Sequence, residues 1–149
     1  MVLIDLGSAY GNYCADISRT FPVNGKFTDR QKELYNTVLE AQKRGIAAAR
    51  AGVDGASVDA AARDYINSRG YEGKFGHSLG HSLGLEIHES PNFGPGGSDK
   101  VPSGVVISVE PGIYLEGKYG CRIEDMIGIK TDGTAHDFTK SRKDLIELF

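Results

Sequence analysis

The sequence has no tryptophan, only two cysteines, two methionines and four histidines, and its lysines and arginines, 17 against 20 acids, leave a net charge of −3. Each scarcity excludes something. The basic residues are scattered rather than striped, so there is no electrostatic footprint for nucleic acid. Apolar runs are too short to span a bilayer, which leaves no membrane segment to expect. Two cysteines in 149 residues, Cys14 and Cys121, do not make a disulfide framework, and with no signal peptide at the start the expected setting is a reducing, cytoplasmic one. Glycine is the opposite case: there are 20, about twice the usual share.

Length permits one domain with a real core. The chain opens on an apolar run interrupted by one acid, Val2-Leu3-Ile4-Asp5-Leu6-Gly7, which reads as a strand. Thr28-Asp29-Arg30-Gln31 is a capping box. Apolar positions from Leu34 to Ala49 then keep a helical period as far as Gly52. A second helix is predicted from Ser57 to about Arg69, with Gly70 as its stop. Ser90 to Ser98 reads as a loop, Val105 to Val109 and Ile123 to Ile129 as strands, Asp132-Gly133 as a turn, and Lys143 to Leu148 as a short helix. Strands, then helices, then strands indicate an α+β domain, helices on one face of a mainly antiparallel sheet.

The acids stand where a core should be. A hairpin over Val2 to Phe21 turning at Tyr10-Gly11 would set Asp5 opposite Asp16, with Cβ atoms about 4.5 to 5.5 Å apart. A turn at Glu116-Gly117-Lys118 would set Glu110 opposite Glu124 in the same way, although Pro111-Gly112 interrupts that ladder. Like charges so placed need relief, because burying unpaired carboxylates is costly. Protonation can supply part of it, and so can Arg122, which shares strand parity with Glu124. Two divalent cations would balance four carboxylates outright. Such oxygen-rich donors suit Mn²⁺, and an added imidazole admits Zn²⁺, Co²⁺ or Fe²⁺.

Three of the four histidines fall within twelve residues, in "HSLGHSLGLEIH". Gly80 and Gly84 argue against a helix there, at about 1 kcal/mol each. In an extended chain His77 and His81 share a face, and His88, an odd number away, needs a bend or bulge to join them. His-Glu-x-x-His, the zinc-protease pattern, is absent, since His88-Glu89 is followed by Ser-Pro-Asn. Glu86 and Glu89 have no partner at that spacing, and His136 reads as structural.

With these residues in place, "VLIDLGSAYGNYCADISRTF", "HSLGHSLGLEIHESP", "ISVEPGIY" and "CRIEDM" together resemble the pita-bread metallopeptidases: methionine aminopeptidases, prolidases and Xaa-Pro aminopeptidases. The resemblance implies a curved, mainly antiparallel sheet with helices on its outer face. It implies a dinuclear centre held by Asp5, Asp16, His81, Glu110 and Glu124, with Glu110 also as general base. His88 resembles the histidine that hydrogen-bonds the scissile carbonyl, His77 the further histidine of the proline-directed branch, and Arg122 the arginine beside the last glutamate. "CRIEDM" and the histidine segment resemble the Xaa-Pro branch, so an Xaa-Pro peptide substrate and a homodimer are expected. Ser82 stands where the family has glycine. The family's catalytic domain begins about a hundred residues before its first aspartate strand, so residues 1–149 are expected to be the later part of that domain, without its upstream half. Competing expectations are an inactive peptide-binding or protein-binding module of the same fold, a methionine aminopeptidase, and a creatinase-like hydrolase.

Overall fold

The computed structural model describes residues 1–147. Strands β1 (Val2–Tyr10) and β2 (Tyr13–Phe21) form an antiparallel hairpin, followed by helices α1 (Asp29–Ala48) and α2 (Gly55–Ile66). The remaining strands are β3 (Gly80–Ser82), β4 (Glu89–Phe93), β5 (Val106–Val109), β6 (Gly112–Leu115), β7 (Tyr119–Arg122), β8 (Asp125–Ile129) and β9 (Ala135–Asp137). A five-stranded sheet runs β4-β3-β5-β8-β9, with β6 and β7 as a second hairpin. Every pairing between these strands is antiparallel, as the α+β reading requires.

Helix α1 begins where the capping box predicts: Thr28 Oγ1 accepts from Gln31 N at 3.3 Å, and Gln31 Oε1 accepts from Thr28 N at 2.9 Å. It ends four residues before Gly52, because Ala49 is extended and Arg50 bridges to Thr134. Its buried stripe of Leu34, Tyr35, Val38, Ala41 and Gly45 faces the sheet. Gly45 lets the helix come close, since a Cβ there would lie 2.9 Å from Leu79 and 3.1 Å from Val109. Helix α2 starts earlier than predicted, with Asp54 as its cap accepting from Ser57 N at 2.7 Å. A wide turn over Asn67–Tyr71 follows, and Gly70 takes the left-handed conformation of a helix stop, φ 84°.

Three expectations need correction. The first hairpin turns at Gly11-Asn12 rather than Tyr10-Gly11, because both central residues of the turn have positive φ, 57° and 68°, which glycine and asparagine tolerate and tyrosine does not. The stretch read as a loop from Ser90 is partly strand β4, paired with β3 and buried at Phe93. No helix forms over the described residues of the predicted Lys143 to Leu148 segment; Leu148 itself lies outside them. There the chain is fixed in irregular conformation by polar ties: Arg19 donates to the carbonyls of Ser141 and Arg142, Tyr35 Oη to that of Lys143, and Lys143 Nζ bridges Asp125 and Asp137.

Candidate metal centre

The corrected register of the first hairpin changes how its two acids meet. Asp5 pairs with Ser18 and Asp16 with Gly7, a shift of two positions from direct opposition. A two-residue shift keeps both acids on one face but makes them diagonal neighbours. Burial raises the Asp16 carboxyl above its ordinary range, and the nearby Asp5 charge raises it further.

The second hairpin has the predicted register. Gly112 pairs with Arg122 and Val109 with Asp125, so Glu110 and Glu124 sit across from each other at the interruption in the ladder. Freed from direct pairing, each backbone finds another partner: Glu110 N donates to Leu79 O at 2.7 Å and Glu124 N to Ser18 O at 3.1 Å. These two bonds tie β3 and β2 to the same point.

Gly80 makes the approach of β3 possible, because a Cβ there would fall 1.8 Å from the Ser108 carbonyl oxygen. His81 then comes beside Glu110, its Nε2 3.3 Å from Oε1, while its backbone N–H donates to Ser108 Oγ at 2.9 Å. Ser108 Oγ in turn donates to Glu110 Oε1 at 3.0 Å. Asp16, His81 and Glu124 each present a donor atom, all within 4.8 Å of one another. Ser82, in the glycine position of the resemblance, is accommodated: its buried hydroxyl donates to Pro91 O at 2.6 Å.

Glu124 is 1% exposed, and only one of its carboxylate oxygens is satisfied, by Ser18 Oγ at 2.6 Å. Among the described residues its buried Oε1 has no hydrogen-bond partner. Burial first, and the Glu110 charge second, push the Glu124 carboxyl up to about 8. Burial likewise pushes Glu110 up to about 7, against the opposing pull of the Ser108 hydrogen bond and Arg122. An orphaned buried oxygen within a group of acids and an imidazole fits a divalent cation, so these residues suit a metal on their own chemistry.

The other predicted residues surround this group. Arg122 is ion-paired with Asp5, lies 3.9 Å from Glu110 and donates from Nε to Ser18 Oγ at 3.0 Å. It thus supplies the counter-charge expected of it, chiefly to Asp5. A bulge after His81 and the bends that follow bring His88 back, its ring 4.2 Å from that of His81. His77 stands apart, bonded through Nε2 to Tyr114 Oη at 2.9 Å and through Nδ1 to Ser78 O at 2.8 Å. Burial lowers its pKa, favouring the neutral ring. His77, His81, His88, Glu110 and Asn92 line one cleft of about 340 Å³. His136 lies away on β9, edge-on to Phe138.

Sequence reasoning passed over Ser18, Ser108 and Tyr114. Parity could have found the serines, since Ser108 precedes Glu110 by two on its strand and Ser18 follows Asp16 by two. Tyr114 also touches Arg122, whose Nη1 donates to its hydroxyl at 3.4 Å, so it joins the histidine and arginine sides of the site.

A mainly antiparallel sheet backed by two helices, with acids from the first hairpin and from the breaks between β5 and β6 and between β7 and β8 gathered about a histidine, has a pita-bread metallopeptidase architecture. The chain matches metallopeptidase family M24 over residues 1–131 and belongs to that family. The Xaa-Pro dipeptidase of Pyrococcus furiosus is 44% identical over 146 residues, 98% of this chain and 41% of that protein. Among solved structures, the prolidase from Pyrococcus horikoshii superposes with a TM-score of 0.92 at 43% identity, over 97% of this chain and 41% of that one. An X-Pro aminopeptidase from Thermotoga maritima gives 0.91 at 45% identity, over 97% and 40%. The chain therefore spans about two fifths of the length of these relatives. Among the described residues no helix is long and apolar enough to cross a membrane.

Proposed function

We propose that this chain carries the metal-binding part of a peptidase that hydrolyses the bond between an N-terminal residue and proline. In this reading residues 1–149 are one partial catalytic domain, working as a cytoplasmic homodimer. Asp5, Asp16, His81, Glu110 and Glu124 hold two divalent ions, preferentially Mn²⁺. When bound, such ions supply Lewis acidity and lower the pKa of water at the site. The observation that carries the reading is the unpartnered Oε1 of Glu124, buried beside Asp16 and His81.

The chain's own residues then have separate tasks. Glu110, beside the His81 ring and accepting from Ser108 Oγ, is placed to take a proton from water and return it to the leaving amine. His88, exposed on the cleft side of His81, is placed to donate to the scissile carbonyl. His77, fixed by Tyr114 and Ser78, presents a neutral ring to the peptide at the other side of the same cleft. Arg122, paired with Asp5 while no metal is bound, steadies Glu124 through Ser18.

The likeness to Xaa-Pro dipeptidases, prolidases and an X-Pro aminopeptidase favours the Xaa-Pro reading over methionine aminopeptidase or creatinase-like activity, and the grouping of Asp16, His81 and Glu124 favours it over an inactive binding module. The test is hydrolysis of Xaa-Pro dipeptides and longer Xaa-Pro peptides by the full reading frame supplied with Mn²⁺ or Co²⁺. Metal-stimulated release of the first residue is expected. No metal-dependent turnover of any such peptide would overturn the proposal.

A further inference from the structure

Helix α2 carries an ion pair that lies outside the group of acids described above yet reaches the histidine segment. Arg63 grips Asp59 with two bonds, Nε to Oδ2 at 2.6 Å and Nη2 to Oδ1 at 2.9 Å. The rest of the guanidinium is aimed at the loop leading to β3: Nη1 donates to Phe75 O and Nη2 to His77 O, each at 2.7 Å. Asp59 completes the grip by accepting from Leu79 N at 3.0 Å. The guanidinium also lies over the Phe75 ring, 4.1 Å from its centre, and that ring meets the His77 ring edge-on at 5.0 Å. Asp59 is 1% exposed, so this is a buried, satisfied network rather than a surface pair.

We propose that Asp59 and Arg63 are positioning residues that fix the His77 ring by clamping residues 75–79 at alternate backbone groups. A lone surface ion pair would leave the loop free to rotate. Here one planar fork holds two carbonyls and a carboxylate together, a geometry that lysine cannot reproduce. The consequence is a defined tautomer at His77. The Ser78 carbonyl can only accept, so Nδ1 carries the proton and Nε2 accepts from the Tyr114 hydroxyl. Both ring nitrogens of His77 are thereby engaged, and the ring is held in one orientation at the wall of the cleft. The role of that ring in catalysis rests on the peptidase reading; the clamp itself does not.

The test reads the ring directly. Long-range ¹H–¹⁵N spectra of the metal-free chain should show His77 as the Nδ1–H form. In R63K, which retains a charge opposite Asp59 and so favours folding, the tautomer ratio should shift by roughly tenfold toward Nε2–H, the order of one hydrogen bond. D59N, which weakens the grip from the other side, should shift it the same way, while Mn²⁺ content of both variants stays at the unsubstituted level. A His77 signal unchanged in either folded variant would overturn the proposal. So would a wild-type chain in which His77 already samples both tautomers, a measurement that needs no variant. Peptidase assays separate the two ideas. A shifted tautomer without Xaa-Pro hydrolysis in the parent would sink the function and leave the clamp standing.

Discussion

At the scale of single residues, the three clustered histidines differ in what they touch. His81 lies among carboxylates, His88 against the exposed side of His81, and His77 on Tyr114. His81→Ala should weaken Mn²⁺ binding by more than the roughly 10–100-fold typical of losing a supporting partner. His77→Ala and His88→Ala should retain the metal, as read by titration calorimetry. Equal losses in all three would refute the division. The spacing pointed to the cluster, and the odd separation of His88 called for a bend or bulge; that the bulge falls directly after His81, and that Tyr114 reaches His77, is visible only in three dimensions.

The raised carboxyls give a second prediction at this scale. Glu110 and Glu124 go from an ordinary 4.5 to about 7 and about 8 on folding without metal. Between those limits the folded chain binds more protons than the unfolded one, so its stability falls as pH rises through that window. Bound metal favours the ionised carboxylates and reverses the sign, so that stability is lost as pH falls. Thermal melts of the metal-free chain should therefore show a lower midpoint near about pH 8 than near about pH 5. The increase on adding Mn²⁺ should be larger at the higher pH. A metal-free midpoint that climbs across this range would show that the carboxylates are not crowded as described.

At the scale of elements, register decides which acids meet. The turn at Glu116-Gly117-Lys118 was legible because Gly117 supplies the positive φ, 69°, that the turn needs, and the whole β5–β8 and β6–β7 register follows from it. The first hairpin misled by two positions, since the Gly11-Asn12 turn was read one residue early. The error kept both acids on one face, which is why the cluster survived it. Helix α2 was read from Ser57, although Asp54 is its cap, because aspartate three residues before a serine gives no capping box to recognise. The predicted last helix failed for a tertiary reason: Lys143 reaches the buried Asp125, a contact absent from the local sequence.

Close approach of β3 to β5 is the element-level feature most exposed to test. Gly80→Ala would set a methyl against the Ser108 carbonyl, and only separation of the strands relieves it. A destabilisation of about 3 kcal/mol or more is expected in denaturant melts, at or beyond the upper end of ordinary overpacking. Metal affinity should fall as well, since His81 is the next residue. A variant with unchanged midpoint and unchanged affinity would contradict the proposed reason for glycine at this position.

At the scale of the whole molecule, three separate parts of the chain converge: a hairpin at the start, the histidine segment, and the β5 to β8 region. They are joined by the bonds from Glu110 N to Leu79 O and from Glu124 N to Ser18 O. Helix α1 braces the assembly through Gln42, whose side chain donates to Asp125 at 2.8 Å beside Glu124. The outer surface of β1 is different in kind, with Val2, Ile4, Leu6 and Tyr10 all exposed. The sequence revealed the convergence only because four acids stood in otherwise apolar strands; the interlocking backbone bonds became visible only in three dimensions.

The central claim is that these acids and His81 form a metal site, and anomalous diffraction from crystals grown with Mn²⁺ tests it most directly. The account predicts two manganese peaks, one within bonding distance of Asp16, His81 and the Glu124 Oε1 that is now without a partner, and a second that draws Asp5 away from Arg122. Saturating Mn²⁺ with no peak at Glu124, and Asp5 still paired with Arg122, would contradict it.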